Sequence, residues 1–123
     1  MLQTFNKLEK LKHKKLIEQL FAEGKSIAKF PLRLVYLPYE HLGDKPLQTG
    51  FSVPKKKIKN AVDRNRIKRQ MREAYRLRKA EIYSEIPQKH IVMFIYLDDK
   101  LPQSKSLHLK MEQLLQSFVK TIN

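Results

Sequence analysis

Apolar residues recur along this chain with two periods, and the switches between them mark out its elements. Over residues 7–23, Leu8, Leu11, Leu16, Ile17, Leu20 and Phe21 fall at helical steps. They predict an amphipathic helix for which Gly24 is a natural C-terminal cap. After Pro31, residues 32–37 read as a strand, and residues 38–46, with Pro38, Gly43, Asp44 and Pro46, as a polar loop. Strict alternation follows: Leu47, Thr49, Phe51 and Val53 share one face, and Gln48, Gly50 and Ser52 share the other. These two strands are expected to pair as an antiparallel hairpin across the long loop.

Asn60 predicts a helix N-cap, with Asp63 three residues on as its capping-box-like partner, and the helix is expected to run to about Ile82. Residues 90–97, HIVMFIYL, are an almost unbroken apolar run, as expected of a central strand buried on both faces. Leu107, Met111, Leu114, Leu115, Phe118, Val119 and Ile122 return to helical spacing and predict a closing helix. With no internal repeat and no low-complexity linker, residues 1–123 read as a single domain. Its class is α+β, in the order α-β-β-α-β-α, with helices packed on a small sheet.

Composition adds what periodicity leaves out. The 123 residues carry 26 Lys+Arg against 12 Asp+Glu, a formal charge of +14, yet 41% of them are hydrophobic. A folded body with that surplus attracts polyanions, nucleic acid ahead of anionic membrane. The absence of cysteine excludes a disulfide framework, a thiolate zinc site and a cysteine nucleophile. The longest apolar run, residues 91–97, is far short of the roughly 20 residues that cross a bilayer. The opening MLQTFNKLEK lacks the apolar core of a secretory signal, so the expected compartment is the cytoplasm.

The charge is clustered. Residues 55–79 hold twelve basic side chains against Asp63 and Glu73. Residues 7–15 form a smaller basic stretch, and the chain beyond residue 82 is close to balanced. On a helical wheel, Ile67, Met71, Ala74, Tyr75 and Leu77 fall on one arc, while Asn65, Lys68, Arg69, Arg72, Arg76 and Lys79 fall on the other. Lys68, Arg72 and Arg76 then lie about 6 Å apart along the axis, close to the spacing of phosphates on a strand. Arginine's planar fork suits phosphate oxygens and base edges better than a lysine point charge does. A solvated helix face is the plain alternative, but within residues 55–79 only Asp63 and Glu73 are acidic. Ahead of the helix, Lys55, Lys56, Lys57 and Lys59 lead into an N-terminus whose free amides favour an anion, and Asn60 and Asn65 can orient an RNA group.

The chemistry of cleavage is missing from the sequence. His13, His41, His90 and His108 include no pair at i,i+3 or i,i+4 spacing, so no helical metal motif is present. Asp98-Asp99, the only adjacent acidic pair, reads as a turn after the central strand. Neither a Walker loop nor a nucleophile elbow is found. No catalytic residue, no metal ligand and no protein-bound cofactor is expected. Phe21, Tyr36, Phe51 and Tyr75 stand near basic segments, each a candidate either for base stacking or for core packing.

Gly50-Phe51-Ser52-Val53, Lys55-Lys56-Lys57, Asn60-Ala61-Val62 and Arg64-Asn65-Arg66-Ile67-Lys68-Arg69, with Arg72-Glu73 behind them, closely resemble the signature of the bacterial ribonuclease P protein component. The resemblance extends over about residues 7–120 and is most specific over residues 50–76. Pro54, the third lysine and Ile17 depart from the family pattern, where Ser, two lysines and an aromatic are common. The resemblance implies a two-layer α/β sandwich with a left-handed βαβ crossover, against the general right-handed rule. It implies an accessory subunit, a monomer in a 1:1 complex, for a catalytic RNA that holds magnesium and removes the 5′ leader of precursor tRNA. By the same resemblance the basic face (Lys55, Lys56, Lys57, Lys59, Asn60, Arg64, Asn65, Arg66, Lys68, Arg69, Arg72 and Arg76) meets the catalytic RNA. The single-stranded leader would lie in a cleft lined by Phe21 and by Val35 or Tyr36, whichever the strand register turns that way. Two other readings compete: a generic RNA-binding module such as a ribosomal protein, and a membrane-surface helix, for which the apolar arc of residues 67–77 is small.

Overall fold

The computed structural model describes residues 9–123. Its elements run α1 (Lys14–Glu23), β1 (Lys25–Lys29), β2 (Leu32–Pro38), β3 (Leu47–Ser52), α2 (Ala61–Arg76), α3 (Lys79–Tyr83), β4 (His90–Tyr96) and α4 (Ser104–Ile122). The apolar run becomes β4, an interior strand of a four-stranded sheet ordered β1-β2-β4-β3. Because β4 is flanked by strands and covered on both faces, it has no solvent side that would require alternation.

Strand period two sorts the side chains onto the two faces. Leu32, Leu34 and Tyr36, then Val92, Phe94 and Tyr96, with Leu47 and Phe51, turn toward α2 and α4. That layer is sealed by Ile67, Met71, Ala74 and Tyr75 from α2 and by Leu107, Met111, Leu114, Leu115 and Phe118 from α4. On the other face Val35, Ile91 and Met93 pack with Leu20 of α1 and with Leu11. The α+β class holds, and the helices divide unevenly, with α2, α4 and the short α3 on one side and α1 across the other.

Four local expectations are corrected. Strands β2 and β3 do not form a hairpin: β4 lies between them, antiparallel to β2 and parallel to β3, so α2 and α3 lie within a crossover. The hairpin is instead β1–β2, with Ile27 opposite Leu34. Strand β1 went unread because Ile27 is its only side chain turned from solvent. The first helix starts at Lys14, not Lys7, which lies outside the described residues along with Leu8. Leu11 keeps helical spacing but gives its amide to the Thr49 carbonyl, 2.9 Å away along the outer edge of β3. A Cβ at Gly50 would meet the Leu11 carbonyl at an ordinary 3.6 Å but the Met93 methyl at 2.8 Å, so the glycine makes room for the Met93 side chain. Lastly, α2 ends at Arg76, because Lys79 turns inward to Glu9, a long-range pairing that local periodicity does not encode.

The 39–46 loop is strapped to the end of β4. Tyr39 donates its amide to the Lys89 carbonyl (3.0 Å), and the His90 amide donates to Pro46 (2.9 Å). The Lys89 ammonium donates to the carbonyls of His41 (3.2 Å) and Gly43 (2.7 Å). His41 accepts the Gly43 amide at Nδ1, 3.2 Å, while its Nε2 lies 3.3 Å from the Pro46 carbonyl, so the neutral ring fits the loop. Burial holds both His41 and His90 below the ordinary imidazole range, opposed by carbonyl hydrogen bonds from Pro46 and Gln88.

The linkage has a definite sign. Above pH about 6.5 both rings are neutral folded or unfolded; below it the unfolded chain takes up protons that the folded one resists. Urea or thermal midpoints should therefore fall as pH drops from 7.5 to 5, and His41→Gln with His90→Gln should flatten that slope. A midpoint independent of pH in the parent protein would contradict the assignment.

Candidate nucleic-acid interface

The approach to α2 is built before the helix begins. The amides of Lys57 and Ile58 both donate to the Pro54 carbonyl at 3.1 Å, and Val53 and Ile58 are buried. That anchorage leaves Lys55, Lys56, Lys57 and Lys59 exposed on the turn. Asn60 takes extended backbone angles, and its side-chain oxygen accepts the Val62 amide at 2.8 Å, as an N-cap should. Arg64 reaches back to the carbonyls of Ile58 (2.9 Å) and Lys59 (2.7 Å), tying loop to helix. Asn60 and Arg64 therefore shape the site as well as edging it.

Along α2 the wheel is realised. Ile67, Met71, Ala74 and Tyr75 are fully buried, whereas Asn65, Arg66, Arg69 and Arg72 are exposed and Lys68 half-buried. Tyr75 accepts from the Thr49 hydroxyl (3.1 Å) and lies 3.0 Å from the Tyr83 hydroxyl, so the anchored side is polar-satisfied as well as apolar. Burial pushes its phenol well above the usual range. Arg72 stands over the Phe51 ring, 5.6 Å from its centroid, which aligns its guanidinium at the β3 edge.

Not every cation of the cluster faces solvent unaccompanied. Arg76 is held by Glu73 through Nε to Oε2 at 3.0 Å and a second contact from Nη2, and this hydrogen bonding draws the Glu73 carboxyl below its usual range. Arg78 donates to the Ala74 carbonyl and lies 3.9 Å from Glu112. Lys79, expected on the outer arc, is buried against Glu9 at 2.6 Å. Leu77, expected inside, is instead 40% exposed, because it caps the helix rather than continuing it. The accessible row is thus Arg66, Lys68, Arg69 and Arg72, flanked by the lysines of the turn.

The three candidates for a single-strand cleft separate. Phe21 is 51% exposed on α1, so its ring is available for stacking. Tyr36 belongs to the opposite face, with its ring 5.2 Å from Phe118 and 6.3 Å from His90, and is a core residue. Val35 faces α1 but is buried in the cluster with Leu20 and Leu11. Arg33 was missed: it shares the strand parity of Val35, pairs with Ile95 and is exposed. That parity was the signal in the sequence. With Lys12, Lys14 and Lys15 exposed at and before the start of α1, this side of the sheet also carries cations. Among the described residues no three His, Asp or Glu side chains converge as metal ligands, and no helix is long and apolar enough to cross a membrane.

Comparison with known proteins finds relatives of one family. The family model described as Ribonuclease P matches residues 5–121. The chain is 36% identical over 114 residues to the ribonuclease P protein component of Porphyromonas gingivalis, covering 89% of this chain and 82% of that one. It is 34% identical over 116 residues to the protein of the same name from Chlorobium phaeobacteroides, covering 90% and 70%. In fold it is similar to the solved RNase P proteins of Staphylococcus aureus (TM-score 0.74, 23% identity, 94% of this chain and 98% of that one) and Thermotoga maritima (TM-score 0.70, 23% identity, 89% and 96%).

The exposed row makes a quantitative prediction. Neutralising Arg66, Lys68, Arg69 and Arg72 together should weaken RNA binding and flatten the plot of log affinity against log salt, by about one slope unit per lost phosphate contact. Titrations at several salt concentrations measure this. An unchanged slope would remove the α2 face from the interface.

Proposed function

This chain belongs to the ribonuclease P protein family, and from that premise we propose that its two sides serve two RNAs. It is the RNA-binding accessory subunit of an endoribonuclease that removes the 5′ leader of precursor tRNA, and the RNA subunit performs the cleavage. Its partners are therefore the ribonuclease P RNA and the tRNA substrate. In the proposed division the α2 row, with Lys55, Lys56, Lys57 and Lys59, grips the folded catalytic RNA. The α1 side holds the single-stranded leader, using the Phe21 ring and the charges of Lys12, Lys14, Lys15 and Arg33.

The observation that carries this reading is the seating of α2. Its inner residues are sealed in the core while four successive outer cations stay accessible, an arrangement suited to a rigid, highly charged RNA surface. The α1 side instead combines one open aromatic with dispersed cations, which suits a flexible strand with unstacked bases. In the same reading the catalytic magnesium ions are held by the RNA, the protein binds as a monomer in a 1:1 complex, and the complex works in the cytoplasm. The protein's positive surface lowers the repulsion between catalytic RNA and substrate, so its contribution is greatest where magnesium and salt are dilute.

Reconstitution tests the proposal. The protein with its RNA subunit should process precursor tRNA in dilute magnesium, where the RNA subunit alone is slow and the protein alone is inactive. Within that complex, Phe21→Ala should weaken binding of leader-bearing substrate by about 1–3 kcal/mol, the worth of one stacked base, and leave mature tRNA unaffected. Equal losses for both ligands would assign Phe21 to packing alone.

A further inference from the structure

A buried ionic clasp fastens the segment that leads into α1. Glu9 is 1% exposed and Lys79 is 5% exposed. Glu9 Oε2 accepts from the Lys79 ammonium at 2.6 Å and from the Tyr83 hydroxyl at 2.7 Å. The Tyr83 hydroxyl lies 3.0 Å from that of Tyr75, which accepts from Thr49 at 3.1 Å. One chain of polar contacts thus joins the N-terminal segment to α3, to the end of α2 and to β3. The next residues use the same strand: Lys10 bridges to Thr49 in parallel, and the Leu11 amide donates to the Thr49 carbonyl. Beyond them Lys12, Lys14 and Lys15 are exposed.

A buried ion pair is a poor source of net stability, since desolvating both charges offsets most of their attraction. Its geometry is another matter, because a paired charge tolerates little displacement once water is excluded. We infer that Glu9 is a positioning residue for leader binding: clasped by Lys79 and Tyr83, it fixes residues 10–12 along the outer edge of β3 and so sets where the cations entering α1 stand. This rests on the leader reading proposed above. Without the clasp the segment would be held chiefly by the Leu11 side chain and the contacts to Thr49, and the same lysines would sample a wider volume and bind a flexible strand less well.

The test uses the reconstituted complex and two variants. Glu9→Ala should speed hydrogen exchange at the Leu11 amide and weaken binding of leader-bearing precursor by about five- to tenfold, with affinity for mature tRNA and for the RNA subunit unchanged. Tyr83→Phe keeps the ion pair and removes the hydroxyl that bonds Glu9 and Tyr75, so it should move both readouts the same way by about twofold; it carries the test if Glu9→Ala does not fold. Unchanged Leu11 exchange, or faster exchange with unaltered preference for the leader, overturns the inference. Neutralising Lys12, Lys14 and Lys15 separates the two levels. If that triple variant loses leader preference while Glu9→Ala does not, the clasp is structural only. If neither does, the leader reading itself fails, and the inference with it.

Discussion

The basic row this molecule presents depends on how α2 is seated. Crowding cations on one face of a helix costs a few tenths of a kcal/mol for each like-charged pair at helical spacing. Burying Ile67, Met71 and Tyr75 returns about 1.5–3 kcal/mol for each large side chain. The apolar stripe therefore wins comfortably, and the repulsion left on the outer face is relieved when a polyanion arrives. Tyr75 completes the seating, with its ring against Phe51 and Phe94 and its hydroxyl satisfied by Thr49 and Tyr83. Arg72, over Phe51, shows the two sides of the arrangement meeting at one residue, with apolar packing beneath and a guanidinium above.

The sheet then acts as a partition. Because strand side chains alternate, Leu34 and Tyr36 commit to the α2–α4 side and Val35 to the α1 side. The larger core lies under the basic helix, and the smaller one under α1 leaves Phe21 and Arg33 outside. Two chemically different surfaces result from a single four-stranded sheet. Polar contacts around Glu9, Lys79 and Tyr83 tie the edge of one surface to the end of the helix that forms the other.

What was legible in the sequence was whatever depended on local period. The N-cap at Asn60, the inner stripe of α2 from Ile67 to Tyr75, the doubly buried β4 and the closing helix all follow from residue type and spacing, and the structure bears them out. What escaped was set by distant partners. The insertion of β4 between β2 and β3 depends on strand pairing across the α2 crossover, which no local window contains. The inward turn of Lys79 depends on Glu9, seventy residues away. Leu11 looked helical because its spacing continues that of Leu16 and Leu20, yet its backbone is spent on Thr49. At the site itself, residue type pointed to the basic row and strand parity grouped Arg33 with Val35, but only the sheet packing showed which parity faces the α2–α4 core and sets Tyr36 there.

Site-directed cross-linking within the assembled complex tests the two-sided account most directly. A photoreactive group at position 69, in the middle of the α2 row, should attach to the ribonuclease P RNA, and one at position 21 should attach to the 5′ leader of bound precursor tRNA. Cross-links from both positions to the same RNA, or from position 69 to the leader, would contradict the account.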